Sequence, residues 1–174
     1  MNLIDEKIHI EDYNPEWPFL YENEKELIAS KLGNWIRGIE HFGSTSVPNL
    51  AAKPIIDILI VVDSLALDDK ALSDLGELGY EALGEAGVPG RLYFRKRKPN
   101  SFNLAVVLYN GDLWKNNIIL RDYLRANPDE AKKYGEIKRG IILKGSDTLL
   151  AYSDQKSSYV LELLDKAKTW KRKM

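Results

Sequence analysis

Residues 54–62, PIIDILIVV, constrain the folding of this chain more than any other stretch. Near-continuous apolarity of that kind reads as a strand buried on both faces, at the centre of a sheet covered on each side. Asp57 sits inside it. A carboxylate there is costly to bury without a cationic partner, hydrogen bonds or a metal ion. Lys53 lies just ahead, and Pro54 holds the approach extended, so an ammonium group can reach the acid or a bound phosphate.

A short turn, Gly43-Ser44-Thr45-Ser46, precedes this strand. Glycine lets the backbone approach a ligand closely, and the three residues after it carry hydroxyls. Such a turn can present N–H groups and hydroxyls to an anion. It can equally be a polar loop that caps the next segment. Asp57 follows Ser44 by thirteen positions, and a phosphate-cradling turn before a strand acid is the ground plan of a nucleotidyltransferase site. On that reading Asp57 is the catalytic residue and a ligand of Mg²⁺, while Gly43, Ser44, Thr45, Ser46 and Lys53 hold phosphate. On the structural reading, Asp57 is a buried acid bonded to loop N–H groups or paired with Lys53 or an arginine. Leu59 stands two positions on, where same-face geometry would place a second metal carboxylate.

The chain's 174 residues suit one domain, spanning 1–174. Its net charge of −1 provides no global basic field, so there is no strong nucleic-acid signal. The absence of cysteine excludes disulfides, thiolate nucleophiles and zinc–thiolate sites. The acidic, interrupted N-terminus lacks the apolar core of a secretory signal, and no apolar run approaches the ~20 residues a bilayer span needs. A cytoplasmic protein without membrane contact is expected.

Hydrophobic spacing predicts an α+β domain: a mixed sheet with packed helices and a helical C-terminal segment. Residues 8–12 alternate as a short first strand. Asn14-Pro15 starts a helix with Trp17, Leu20, Tyr21, Leu27, Ile28 and Leu32 on one face, ended by Gly33. Strands follow over 36–42 and 54–62. A helix capped near Asp63 or Ser64 turns Leu65, Leu72, Leu75 and Leu78 to the core. A strand over 80–83, a glycine-rich loop over 84–90 and a hairpin of 91–96 with 101–108 come next. Three helices close the chain: 112–126, one capped by Asn127 with Pro128 in its first turn, and one from about Asp147 to the end. The last carries Leu149, Leu150, Val160, Leu161 and Leu164 as its apolar positions.

Arg91, Arg95, Lys96, Arg97 and Lys98 cluster in the hairpin, with Arg91 and Tyr93 on one face of its first strand. That face can grip phosphate, or the strand is a charged, solvated edge. Arg91, directly after the glycine-rich loop, is the phosphate-binding candidate. Lys156 is polar within an amphipathic helix and can point into a cleft. His41 reads first as a hydrogen-bonded structural residue, and the RDYLR sequence of 121–125 as an intrahelical ion-pair array.

The stretches IEHFGSTSVPNLAAKPIIDILIVV, YNPEWPFLYENE, GEAGVPGRLYFRK, LRDYLRANPDEAKKYGEIK and YSDQKSSYVLELL together resemble the GrpB family, assigned to the nucleotidyltransferase superfamily. The resemblance runs through nearly the whole chain in order. Members also occur fused behind dephospho-coenzyme A kinase. It implies a nucleotidyltransferase-like fold and bacterial-type metabolism near nucleotides but supplies no substrate; the turn and Asp57 give the expected ligand, a nucleotide or other phosphorylated small molecule. Gly43 and Ser44 match the superfamily's Gly-Ser motif and Asp57 its first strand acid. Leu59 departs from the second acid, Ala105 stands where the family has a strand histidine, and residues 101–108 contain no acid. The resemblance therefore implies either an atypical site drawing on Glu40, His41 or Glu85, or a ligand-binding module without turnover.

Overall fold

The strand β2, Ile56–Val62, lies between β1, Gly38–Phe42, and β5, Phe102–Leu108. The computed structural model describes residues 4–174. Strands β3, Glu81–Ala82, and β4, Arg91–Lys96, complete the order β1-β2-β5-β4-β3. Strands β2 and β5 run parallel and every other pair is antiparallel. The mixed sheet matches expectation, and β2 is buried because it has a neighbour at each edge and cover on each face.

Strand alternation sorts the side chains. Ile56, Ile58, Ile60 and Val62 of β2 meet Phe102, Leu104 and Val106 of β5 on one face. Helices α1, Trp17–Leu32, and α2, Asp69–Glu77, cover it through Trp17, Tyr21, Ile28, Leu32, Ala71 and Leu75. The opposite face carries Leu59, Ala105 and Val107, packed against Leu113, Trp114 and Ile118 of α3, Asp112–Ala126. Helices α4, Pro128–Leu143, and α5, Leu149–Arg172, pack with α3 around Tyr123, Leu124, Ala131, Tyr134, Leu163 and Ala167.

Several expected details differ. Residues 8–12 form no strand; the segment makes isolated bridges at Lys7 with Thr148 and at Glu11 with Ala52. Helix α2 begins six residues after Asp63 because Asp68 is its cap, its carboxylate accepting the Ala71 amide at 2.7 Å. Asp63 instead pairs with Arg37, and Ser64 accepts the Ala66 amide. Leu65 packs on the core from this loop, whereas Leu72 is exposed. Asn127 occupies the cap position of α4, but its amide turns back to donate to the Tyr123 carbonyl. Leu27 and Leu161 face solvent, and Leu163 takes the inward place.

Helix α1 buries Glu24 within its apolar face. Lys96 Nζ donates to both Glu24 oxygens, at 2.9 and 3.0 Å, and the Tyr80 hydroxyl donates to Oε1 at 3.0 Å. All three side chains are buried, so the charges share one another in place of water. Removing one partner strands the other: Lys96→Met is expected to cost roughly 3–5 kcal/mol. Glu24→Leu combined with Lys96→Met should restore most of that loss. Urea denaturation of the single and double variants checks this.

Candidate functional site

Strand β1 ends by delivering Gly43 against the acid of β2. Gly43 has φ +69° and ψ −174°, a region essentially reserved for glycine. A Cβ there would lie 2.5 Å from Asp57 Oδ2. The chain then makes one short helical turn, Ser44–Ser46. The Ser46 hydroxyl donates to the Gly43 carbonyl, and Thr45 Oγ1 is 2.9 Å from His41 Nε2; both residues are buried. Ser44 differs: its Oγ accepts a 2.8 Å bond from Lys138 Nζ, and the residue lines a cavity.

That cavity, of about 390 Å³, opens where β1, β2, β4 and β5 meet the C-terminal helices. Small-molecule pockets span roughly 300–1,000 Å³. Gly43, Ser44, Thr45, Lys53, Asp57, Arg91 and Lys156 all line it; Ser46 stands behind the turn. Four cationic side chains, Lys53, Arg91, Arg121 and Lys156, share the lining with one carboxylate, Asp57. Its other walls are aromatic and aliphatic, including Phe42, Tyr93, Tyr152, Leu120, Leu124 and Val160.

Asp57 is enclosed by donors. Asn103 Nδ2 donates to Oδ1 at 2.9 Å, and Lys53 Nζ is 3.6 Å from the same oxygen. Asn103 is itself held by Arg97, which forms a two-pronged ion pair with Glu6. Burial pushes the Lys53 ammonium below its usual range; Asp57 opposes this, while Lys156 and Arg97 add to it. Burial lowers Lys156 likewise, again opposed by Asp57. Among the described residues, Lys156 has no carboxylate at ion-pair distance; its Nζ sits 4.7 Å from the centre of the Tyr152 ring.

Mg²⁺ demands several hard oxygen ligands in near-octahedral array. The surroundings of Asp57 do not fit it: an amide N–H and an ammonium face the carboxylate. Leu59 and Ala105, paired across β2 and β5, form an apolar plug where further ligands would stand. Among the described residues no group of three or more His, Cys, Asp or Glu gathers. Glu40 is held by Arg121, Glu85 accepts the Gly90 amide, and His41 stacks on Tyr21.

Arg91 lines the cavity, yet its guanidinium pins the glycine-rich loop, donating to the carbonyls of Glu85 and Ala86 at 2.9 and 3.1 Å. The RDYLR sequence is more than an intrahelical array. Arg121 does pair with Asp122, but it also donates to Glu40 and to the His41 carbonyl, and Arg125 donates to the Ser46 carbonyl. Together they clamp α3 onto the turn.

Lys138 went unnoticed in the sequence. Only 1% exposed, it falls in register with Ala131, Tyr134 and Gly135 on the buried face of α4. A lysine in an apolar i, i+3, i+4, i+7 stripe was the available signal. Besides Ser44 it bonds the Ala51 carbonyl, and its Nζ lies 4.5 Å from the Tyr134 ring centre. Burial first, then Lys156 and Lys53, hold it well below the ordinary lysine range.

A mixed five-stranded sheet with a cation-rich cavity under three C-terminal helices defines the class of fold, α+β. The family model described as GrpB protein matches residues 7–166, and the chain belongs to the GrpB family. It is 35% identical over 159 residues to the glutamate-rich protein GrpB of Alkalihalophilus pseudofirmus, covering 88% of this chain and 91% of that protein. It is 34% identical over 167 residues to the UPF0157 protein YqkA of Bacillus subtilis, covering 95% of this chain but only 49% of that relative. The crystal structure of the conserved protein GrpB from Enterococcus faecalis superposes with a TM-score of 0.84 at 32% identity, covering 93% of this chain and 99% of that one. A weaker similarity, 24% over 185 residues, reaches a dephospho-CoA kinase of Mycolicibacterium paratuberculosis, 45% of which is covered. Among the described residues, no helix is long and apolar enough to cross a membrane.

Two outcomes follow from this geometry. Gly43→Ala must displace Asp57 or the turn, and strain of this kind costs about 1–3 kcal/mol; a lowered melting temperature with the same sheet content checks it. His41 is held down to about 4, chiefly by burial, with Arg125 and Arg121 adding and Asp57 opposing. The unfolded chain therefore takes up its proton first as pH falls. The stabilisation is complete above about pH 6.5 and is lost between there and about pH 4, by ~3 kcal/mol at 1.36 kcal/mol per unit. Chemical denaturation across that window, with His41→Gln as the control that flattens it, is the measurement.

Proposed function

We propose that this cavity binds a phosphorylated small molecule of nucleotide class, gripping its phosphates through protein cations rather than through a metal held by the protein. The observation that carries the reading is the charge imbalance of the lining: Lys53, Arg91 and Lys156 against Asp57 alone, Arg121 being paired with Glu40 and Asp122. Charge-assisted bonds to phosphate are the natural relief for that imbalance. Gly43 and Ser44 supply the close-approach turn beside Lys53. Tyr93 and Tyr152 supply flat surfaces against which a base or other apolar body can rest. Asp57 anchors Lys53 and keeps the lysines from repelling one another unopposed. Nucleotidyl transfer, the other expectation, needs further oxygen ligands, and Leu59 stands at the second-acid position while residues 101–108 carry no acid.

An anion bound here stabilises the ammonium forms of Lys53 and Lys156, which burial disfavours in the empty cavity. Binding should therefore take up protons. Calorimetric titration with pyrophosphate and with nucleoside triphosphates, in buffers of different ionisation enthalpy, reads both affinity and proton uptake. Binding is expected to survive a chelator and to weaken with salt. Lys53→Met and Lys156→Met should each weaken it roughly 10- to 100-fold, the equivalent of one charged hydrogen bond. Binding that appears only with Mg²⁺ and vanishes in Asp57→Asn would overturn the metal-free reading in favour of transfer. No binding at low salt would remove the phosphate reading itself.

A further inference from the structure

The contact between Ser44 and Lys138 has a chemical meaning beyond anion binding. Lys138 Nζ lies 2.8 Å from Ser44 Oγ, at the cavity wall, where the Tyr134 side chain also hydrogen-bonds Ser44. The lysine is 1% exposed, fixed by the Ala51 carbonyl and the Tyr134 ring, with no carboxylate at ion-pair distance among the described residues. As an ammonium, Nζ donates to Oγ. As a free amine it keeps a donor for Ala51, and the contact reverses, the serine hydroxyl donating into the amine lone pair. An amine so placed is a general base aimed at a hydroxyl, the arrangement that makes serine a nucleophile.

We propose that Ser44 and Lys138 form a nucleophile–base pair, and that the cavity accepts an acyl ester or thioester as its electrophile. The cavity has an apolar side made by Leu124, Leu149 and Val160, suited to an acyl chain, and Lys53 and Lys156 bring positive charge for a developing oxyanion. Ser44 Oγ bonds to the carbonyl carbon as Lys138 takes the hydroxyl proton, and the carbonyl π electrons move onto oxygen. Collapse expels the alcohol or thiol with its bonding pair, and Lys138 returns the proton to it. Water, deprotonated by Lys138, then attacks the acyl-serine. Collapse expels Ser44 Oγ with its bonding pair, Lys138 returns the proton to it, and the acid is released, so the net change is hydrolysis of one ester. Burial and the neighbouring lysines, which hold Lys138 in reach of its free-amine form, support this chemistry.

The pair does not depend on the phosphate reading, and one experiment separates them. The folded protein is incubated with an alkyl fluorophosphonate, which forms a P–O bond to an activated serine and releases fluoride. Modified peptides are mapped by mass spectrometry. A single adduct on Ser44 is expected, absent in Ser44→Ala and slowed ~10²- to 10⁴-fold in Lys138→Met, the usual contribution of a general base. Because Lys138 is buried, Lys138→Met is scored only if its melting transition is retained. The wild-type pH profile is the second measurement: the labelling rate should rise through one titration well below the ordinary lysine range. No Ser44 adduct on folded wild type, a pH-independent rate, or an equal rate in folded Lys138→Met would each overturn the pair. Added inorganic phosphate should slow labelling if the anion also binds. Labelling at Ser44 that phosphate leaves unchanged would uphold the pair while counting against the phosphate reading alone.

Discussion

Gly43 and Asp57 lie so close that no side chain fits between them, and most of the site's geometry follows from that contact. The turn after β1 has to pass over the acid of β2 in a backbone conformation only glycine adopts readily. Once it does, Ser44 is presented at the cavity wall and Thr45 and Ser46 close inward. Arg121 and Arg125 of α3 reach the carbonyls of His41 and Ser46, and Lys138 of α4 reaches Ser44. Two helices are therefore positioned by polar bonds to one short turn. These bonds lie at the edge of an apolar cluster that includes Val47, Leu50 and Tyr134. Apolar packing provides the bulk of the adhesion there; the directional bonds select which way the helices sit on the sheet.

The two sheet faces divide the labour. Beneath α1 and α2 the alternation is filled with branched aliphatics and one closed charge network, Glu24–Lys96–Tyr80, which uses up its own donors and acceptors. On the other face β2 and β5 carry Asp57 beside Asn103, then Leu59 beside Ala105. The first pair is polar and borders the cavity. The second is apolar and lies under α3. A single step of two residues along the strands thus separates a cavity-lining acid from a sealed core. Site chemistry in this fold is read from side-chain identity at a few registers, and the fold itself stays the same.

Much of this fold was legible because its signals are local. Continuous apolarity marked β2, alternation marked the β4–β5 hairpin, and the 3.6-residue period marked α1. Family resemblance also placed Gly43, Ser44 and Asp57 together, and the cavity joins all three to Lys53, Arg91 and Lys156. What escaped was buried charge. Glu24 and Lys96 are 72 positions apart, and Ser44 and Lys138 are 94 apart. Each is a polar residue in an apolar stripe whose justification is a partner far away in the chain. Arg121 and Asp122 invited a local reading because they are adjacent, though the arginine's longer reach is to β1. The start of α2 slipped for a similar reason: three nearby acids and a serine all suit a cap, and the tertiary pairing of Asp63 with Arg37 decides among them.

The same electrostatics that favours an anion in the cavity also governs the serine pair. Three lysines sit near one carboxylate, and burial together with mutual repulsion holds Lys138 well below the ordinary lysine range. An anion placed among Lys53 and Lys156 adds negative charge and restores the ammonium on Lys138, which then donates to Ser44 and has no lone pair for its proton. On the two proposed readings, one charge balance would set two states: anion held and serine quiet, or cavity free of anion and serine activated. Asp57 tunes the balance from within. Its single negative charge raises Lys53 and Lys156 against the burial that lowers them. Leu59, sealed under α3 one step along the strand, adds no charge to that balance.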